Sequence, residues 1–219
     1  MSLWAWALEP RLAAALAVFG GLCGQLIAVF SVRRGFDAAR LAPFVVGGLA
    51  GLPLGLWLLP RLDIPLFKAV LGGFIVVVCP LMMVAERLPR ITHGGRFADA
   101  LSGAAGGVMG GLGGFTGVVP SLWCTLRGFE KDAQRAIIQN FNLSMLAVTF
   151  ASYLATGILQ ASQLPLLAVV LPAMVVPSLL GARLYLRISQ QAFRQVVLGL
   201  LTLAGVALLA ASLPVILHR

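Results

Sequence analysis

Long apolar runs follow one another along almost the whole chain and are separated by short polar connections. Each run is at least about 20 residues long, which is the length that an α-helix needs to cross roughly 30 Å of hydrocarbon. The runs are apolar on nearly every side, as membrane-spanning helices are. The pattern predicts an all-α polytopic membrane protein with seven apolar segments, at approximately 12–32, 41–60, 64–85, 99–126, 136–158, 164–186 and 192–217.

One residue frame occurs twice in the chain at a constant offset of 126 residues. A glycine, a basic residue, an aromatic–basic pair and a second glycine are spaced identically in both copies. The copies are Gly55, Arg61, Phe67, Lys68 and Gly73, and Gly181, Arg187, Phe193, Arg194 and Gly199. Transporters are commonly built from two such repeats. We predict a single transmembrane domain of permease type over 1–219, with an incomplete repeat one at about 12–85 and repeat two at about 99–217.

The stretch GGVMGGLGGFTGVVP at 106–120 contains seven glycines within one of the most apolar regions. The glycines form two rows with four-residue spacing, at positions 103, 107 and 111 and at positions 106, 110 and 114. Rows of this kind are typical of helices whose backbones pack closely. Close helix packing is therefore the first interpretation.

The end of this stretch, GGFTGVVP, favours a second interpretation. Gly113, Gly114, Gly117 and Pro120 can all interrupt a helix. An interrupted helix inside a membrane is tolerated where it is buried in protein or lines a wet cavity, and its free N–H groups attract anions. This interpretation predicts a discontinuous or re-entrant segment at about 99–126.

The distribution of basic residues distinguishes the two topologies, because cytoplasmic loops are enriched in lysine and arginine. If all seven segments cross the membrane, seven basic residues face one side and nine face the other. If the segment at 99–126 enters and leaves on the same side, the division becomes twelve against four. The stronger asymmetry favours a re-entrant segment, and the two repeats then run in opposite directions.

Composition and charge narrow the class of protein further. Hydrophobic residues make up 60% of the chain and charged residues 11%, against about 25% charged in soluble domains. The net charge of +9 comes from dispersed residues without a basic block, so no nucleic-acid partner is predicted. The three cysteines lack metal-site spacing, and neither a metal nor a cofactor is expected. Motifs of the HExxH, GxSxG and Walker A types are absent, so an enzyme is not predicted.

Few polar side chains interrupt the apolar segments. Gln139, Asn140 and Asn142 lie in RAIIQNFNLSM, and Thr116 and Ser121 flank the glycine break. Buried amides and hydroxyls mostly form hydrogen bonds between helices, which is one interpretation. Facing a cavity, the same groups suit the oxygens of an anion, which is the other. The carboxylates occur at segment ends or in loops, so coupling through an intramembrane carboxylate is not favoured.

The stretch GGVMGGLGGFTGVVPSLWCTLRGFEKDAQRAIIQNFN resembles the second signature of the TauE/SafE permease family. GLPLGLWLLPRLD and LLGARLYLRIS, each followed by an aromatic–basic pair, resemble later repeat helices of that family, and the likeness covers most of 12–215. The resemblance implies a multi-pass permease of the cell inner membrane for small anions, often sulfur-containing ones such as sulfite or sulfoacetate. It also implies a substrate-proximal break formed by Gly110, Gly111, Gly113, Gly114, Thr116, Pro120 and Ser121. Arg127 and Arg135 are then topological signals, or at most attract anions to the pore mouth.

The chain departs from the family pattern at its start. The family usually opens with a glycine-rich helix that mirrors the segment at 99–126, and the sequence is expected to start after that helix. Two explanations stay open: translation starts upstream, or the chain is a shortened member of the family. In the second case, a further copy of the chain or a completing subunit would supply the missing half of the site.

Together, the residues and the resemblance predict a small-anion permease that works by alternating access. The substrate is expected at the glycine break, beside Gln139, Asn140 and Asn142 in the lipid bilayer. The alternative is a non-transporting membrane scaffold or assembly subunit whose glycine rows are interaction faces.

Overall fold

The computed structural model describes residues 10–31, 37–85, 89–91, 93–160, 165–168, 171–172 and 190–217. Within these residues the fold is helical and contains no strand, so the predicted all-α class is confirmed. The long helices are α1 (Pro10–Ser31), α2 (Ala38–Leu58), α3 (Ile64–Val84), α4 (Gly95–Gly113), α5 (Val118–Leu126), α6 (Lys131–Ala155) and α7 (Gln190–Leu217). A 3-10 turn at Leu59–Arg61 extends α2.

Five of these helices are long and apolar enough to cross a membrane. They coincide with five of the seven predicted segments, and their spans are Pro10–Ile27, Ala38–Arg61, Ile64–Val84, Lys131–Ala155 and Gln195–Val215. The predicted segment 164–186 falls mostly outside the described residues. The predicted segment 99–126, expected to be discontinuous or re-entrant, corresponds to two helices, α4 and α5.

Aspartates in the short connections fix where two of the helices begin. Asp37 caps α2 by accepting a hydrogen bond from the backbone N–H of Arg40 at 3.1 Å. Asp63 caps α3 in the same way through the N–H of Leu66 at 2.9 Å, and Pro65 occupies the first turn of that helix. Both residue types are favoured at these positions, because aspartate satisfies a free N–H and proline has none to satisfy.

Helices α2 and α4 pack backbone to backbone through facing glycine rows. The rows are Gly47, Gly51 and Gly55 on α2 and Gly103, Gly107 and Gly111 on α4. A Cβ atom at Gly51 would overlap the carbonyl oxygen of Ala104, and one at Gly107 would overlap the carbonyl oxygen of Gly48. The row at 103, 107 and 111 therefore serves close helix packing, as the first interpretation predicted.

Helices α3 and α7 pack against each other in opposite directions. A Cβ atom at Gly72 would lie 2.8 Å from the carbonyl oxygen of Gly205, and one at Gly205 would lie 2.9 Å from Ile75. The helices begin at Ile64 and Gln190, which are 126 residues apart, the offset of the predicted repeat. The positions 181–189 of the second copy lie outside the described residues, so the repeat itself stays a prediction.

Helix α6 is held on two sides by aromatic contacts. Phe141 packs edge-on against Phe44 of α2, with the ring centroids 6.5 Å apart. Phe150 packs against Phe19 of α1, with the ring centroids 5.7 Å apart. These contacts fix the rotation of α6 and therefore determine which of its polar side chains face α4 and α5.

Candidate functional site

Helices α4 and α5 form a helical hairpin, defined here as residues 95–126. Helix α4 ends at Gly113, and Gly114 adopts a left-handed conformation with φ of 80°. A side chain would be strained at that φ, so glycine is the natural residue for ending this helix. Helix α5 begins at Val118. We call residues 114–117 the hairpin tip.

The two open ends of the hairpin lie together, and we call this region the hairpin base. The backbone N–H of Ile91, just before α4, donates to the carbonyl oxygen of Leu126 at the end of α5, at 2.8 Å. The Arg127 side chain donates to the carbonyl oxygen of Gly95 at 3.3 Å. The chain therefore returns to the end of the helix bundle at which the hairpin starts.

A buried ion pair closes the hairpin base. Asp99, only 6% exposed, accepts hydrogen bonds from Arg127 Nη1 at 2.7 Å on Oδ1 and 2.9 Å on Oδ2. The indole N–H of Trp123 donates to the same carboxylate at 2.7 Å. Sequence reasoning placed Asp99 at a segment end and gave Arg127 a topological role. The available signal was that opposite charges flank the predicted re-entrant segment.

At the tip, the hairpin meets α6 through polar groups. Thr116 Oγ1 donates to Asn142 Oδ1 at 2.8 Å, and a Cβ atom at Gly117 would overlap the Asn142 amide. Thr149 Oγ1 is fully buried without a hydrogen-bond partner and would lie 3.7 Å from a Cβ atom at Gly110. A buried hydroxyl without a partner is costly and calls for an explanation, such as a ligand or an ordered water.

Two further side chains extend this line of polar groups along α6. Tyr153 Oη donates to the carbonyl oxygen of Gly111 at 2.6 Å. Gln134 Nε2 donates to the carbonyl oxygen of Ser121 at 3.2 Å and to Thr125 Oγ1 at 3.0 Å. We call Gln134, Asn142, Thr149 and Tyr153 the polar stripe of α6. Three of these four residues were missed by sequence reasoning, although spacings of 7 and 11 from Asn142 place Thr149 and Tyr153 on its helix face.

Several hydrogen-bond donors therefore lie near the tip, and none of them belongs to a charged side chain. No side chain caps the start of α5, so its first N–H groups point toward the break. The Asn142 amide nitrogen and the Thr149 hydroxyl lie on the facing helix. This set of donors suits an anion. Among the described residues, no group of three or more histidine, cysteine, aspartate or glutamate side chains is placed to hold a metal ion.

The family model described as "Sulfite exporter TauE/SafE" matches residues 1–208. The chain belongs to the sulfite exporter TauE/SafE family. The resemblance stated from the sequence is confirmed, and no curated protein and no solved structure gives a significant match. This TauE/SafE protein is a multi-pass membrane transporter of the anion-exporter type. Transport is the activity that the family implies, and not catalysis.

Several of the residues predicted to form the site of this TauE/SafE protein meet at the tip. Gly110 lies against Thr116, and Thr116 is bonded to Asn142. Gly114 packs against Val18 of α1, and a Cβ atom at Gly114 would lie 3.2 Å from Val18 Cγ2. Gly113 precedes it as the last residue of α4 and is buried.

The remaining predicted residues have other surroundings in this TauE/SafE protein. Gly111 packs against the α2 backbone, and Pro120 packs against Gly106 inside the hairpin. Ser121 presents its carbonyl oxygen to the polar stripe. The Asn140 amide donates to a carbonyl oxygen of its own helix at 2.9 Å, and Gln139 is half-buried one turn before Asn142.

Proposed function

We propose that this protein is a permease of the cell inner membrane for small sulfur-containing anions, such as sulfite or sulfoacetate, and that the hairpin tip is its substrate site. The main support is the buried Thr149 hydroxyl, which has no partner among the described residues and lies beside Gly110, one turn before the end of α4. A transported anion supplies the missing acceptor during each cycle. The uncharged donors around it allow the anion to be released again.

The depth of the tip supports a site near the middle of the membrane. Gly114 contacts Val18, which is close to the midpoint of the span Pro10–Ile27. Gly114 also lies near Leu146, and Gly117 of the tip lies against Asn142. Leu146 and Asn142 are both close to the middle of the span Lys131–Ala155. Transporter sites occur near the bilayer midplane, at helices that are interrupted there. The opposite directions of α3 and α7 fit a pair of repeats with inverted topology.

The arrangement of charge supports a hairpin that enters and leaves the membrane on one side. Basic side chains in the described residues lie mainly at the end of the bundle that holds the hairpin base. Of the nine whose side chains the structure describes, six are at that end and three at the other, namely Arg40, Arg90, Arg96, Arg127, Lys131 and Arg135 against Arg11, Arg61 and Lys68. The positive-inside rule then orients the base toward the cytoplasm.

Single cysteines test this topology. Phe97→Cys and Asp132→Cys lie before and after the hairpin at exposed positions, and Thr156→Cys lies at the opposite end of α6. In sealed vesicles, we expect a membrane-impermeant thiol reagent to label positions 97 and 132 from the same face and position 156 from the other. Labelling of 97 and 132 from opposite faces would rule out the re-entrant hairpin.

Thr149→Val tests the substrate site directly. The change keeps the shape of the side chain and removes only the hydroxyl, which bonds to no protein group. We expect uptake of radiolabelled sulfite into proteoliposomes to fall about tenfold, since each 1.4 kcal/mol lost in binding is a factor of ten. The thermal unfolding midpoint is expected to stay the same or rise, because an unsatisfied buried hydroxyl is removed.

The matched control is Thr202→Val in α7, whose hydroxyl donates to the Leu198 carbonyl oxygen of its own helix at 2.8 Å. We expect that variant to transport normally. Normal sulfite uptake by Thr149→Val would show that the tip is not the substrate site. Sulfate and acetate, measured beside sulfite, determine whether the site selects sulfur-containing anions.

The scaffold alternative needs the glycine rows as faces for other proteins. Both rows of α4 instead have partners inside the chain: one faces α2, and the other faces α1, α5 and α6. This packing favours the transporter. A second copy or a completing subunit remains a prediction that the family membership leaves open.

A further inference from the structure

A cavity of about 560 Å³ lies at the hairpin base, between the starts of α2, α4 and α6 and the end of α5. We call it the vestibule. Its charged lining consists of Arg40, Arg96, Arg127, Asp99 and Glu130. It lies on the same side of the bundle as both ends of the hairpin and is distinct from the tip.

The arginines of the vestibule differ in how far their charge is compensated. Arg127 is held by the buried carboxylate of Asp99. Arg40 pairs with Asp37 at 3.3 Å, but both side chains are more than half exposed, and such pairs are weak because water screens them. Arg96 donates to the Ala39 carbonyl oxygen at 3.2 Å and has no ion pair within the described part of the chain.

Local backbone geometry adds positive potential to these side chains. Three helices, α2, α4 and α6, begin beside the vestibule, and each N-terminus carries a partial positive charge. Guanidinium groups offer paired N–H donors that match the oxygens of an oxoanion. Since Arg40 and Arg96 are exposed, they can hold such an anion without a large desolvation cost.

We propose that the vestibule is a second anion site, in which Arg96 and Arg40 bind a small oxoanion on its path between solution and the hairpin tip. This inference rests on the proposed transport function and adds a second binding site to the path of the anion. The pairing of Arg127 with Asp99 keeps the innermost cation compensated, so an anion is held loosely enough to move on. An anionic lipid headgroup presents the same oxoanion chemistry, and the experiment below separates the two sources.

The test measures the potential in the vestibule with a reporter cysteine at Ala39, an exposed residue of its lining. Cys23, Cys79 and Cys124 are replaced by alanine. In phosphatidylcholine nanodiscs, Ala39→Cys is reacted with the anionic sulfonatoethyl and the cationic trimethylammonium-ethyl methanethiosulfonates. We expect Arg96→Gln to lower the anion-to-cation rate ratio about fivefold, as loss of a unit charge at roughly 8 Å in water predicts.

Arg11→Gln is the matched control, because Arg11 also donates to one backbone carbonyl oxygen, that of Pro60 at 3.4 Å, but at the opposite end of the bundle. It is expected to leave the ratio unchanged. Sulfate, added in place of gluconate at constant ionic strength, should slow the reaction of the anionic reagent with Ala39→Cys when Arg96 is present. It should not slow this reaction in the Arg96→Gln variant. An unchanged ratio in Arg96→Gln, or no protection by sulfate in phosphatidylcholine, overturns the site for a free oxoanion.

Repeating the labelling in phosphatidylglycerol nanodiscs identifies the source of the anion. If the lipid slows the anionic reagent only when Arg96 is present, and sulfate then adds no protection, the headgroup occupies the same site. Additive protection by sulfate in either lipid assigns the site to the free anion.

Sulfite uptake separates this inference from the proposed function. In phosphatidylcholine liposomes, we expect Arg96→Gln to raise KM several-fold with little change in kcat. If the wild-type chain takes up no anion, the proposed function fails while the labelling ratio still reports on the vestibule. If uptake proceeds and neither KM nor the ratio responds to Arg96→Gln, only the vestibule is wrong.

Discussion

Replacing Gly107 by alanine is expected to force α2 and α4 apart and to destabilise the protein by about 3 kcal/mol, the upper end of the cost of overpacking. The new Cβ atom would overlap the carbonyl oxygen of Gly48 and lie 2.9 Å from its Cα atom. These are backbone atoms, so no side-chain rotation relieves the overlap. The thermal unfolding midpoint in detergent and the yield of monodisperse protein measure the effect.

Gly73→Ala and Gly24→Ala provide the controls. Both glycines lie within membrane-spanning helices, and a Cβ atom at either would meet no other atom within 4 Å. We expect them to be neutral or stabilising, because alanine is a better helix former than glycine by about 1 kcal/mol. A Gly107→Ala variant as stable as these two would show that α2 and α4 do not pack as described.

Asp99→Asn should have the second large effect. The change keeps the shape of the side chain but leaves the Arg127 guanidinium largely buried without a counter-charge, and loss of one partner of a buried pair costs about 3–5 kcal/mol. Because this pair joins the two arms of the hairpin, we expect sulfite uptake to be lost together with stability. Thermal unfolding and proteoliposome uptake measure the two effects.

Two variants make this result specific. Asp99→Asn combined with Arg127→Gln removes both charges and should recover most of the stability, since no buried charge is left unpaired. Asp37→Asn breaks the exposed pair with Arg40 but leaves a residue that also caps helices well, so it should cost no more than about 1 kcal/mol. If Asp99→Asn lowered the stability no more than Asp37→Asn does, the Asp99–Arg127 ion pair would not hold the hairpin together.

The class of protein could be predicted because it depends on properties that add up along the chain. Apolar runs long enough to span a bilayer predicted helices at five positions where the structure has them. The order of the motifs indicated the TauE/SafE family, which is confirmed. Neither conclusion required knowing which helix touches which.

The contacts that build the candidate site were harder to predict, because they depend on pairing. The α2 row of Gly47, Gly51 and Gly55 is visible in FVVGGLAGLPLG, but spacing alone does not identify its partner helix. Thr149 and Tyr153 lie in a long apolar run, where a single hydroxyl does not distinguish a site residue from a packing residue. Asp99 and Arg127 are 28 residues apart and meet only because the chain turns between them.

The glycine contact between α2 and α4 also limits how the transporter moves. Side chains between two helices can exchange rotamers and let the helices slide, whereas interlocked backbones have only one way to fit. Helix α2 and the first arm of the hairpin therefore form one rigid body. The motion that exposes the tip to each side in turn must therefore take place around this unit.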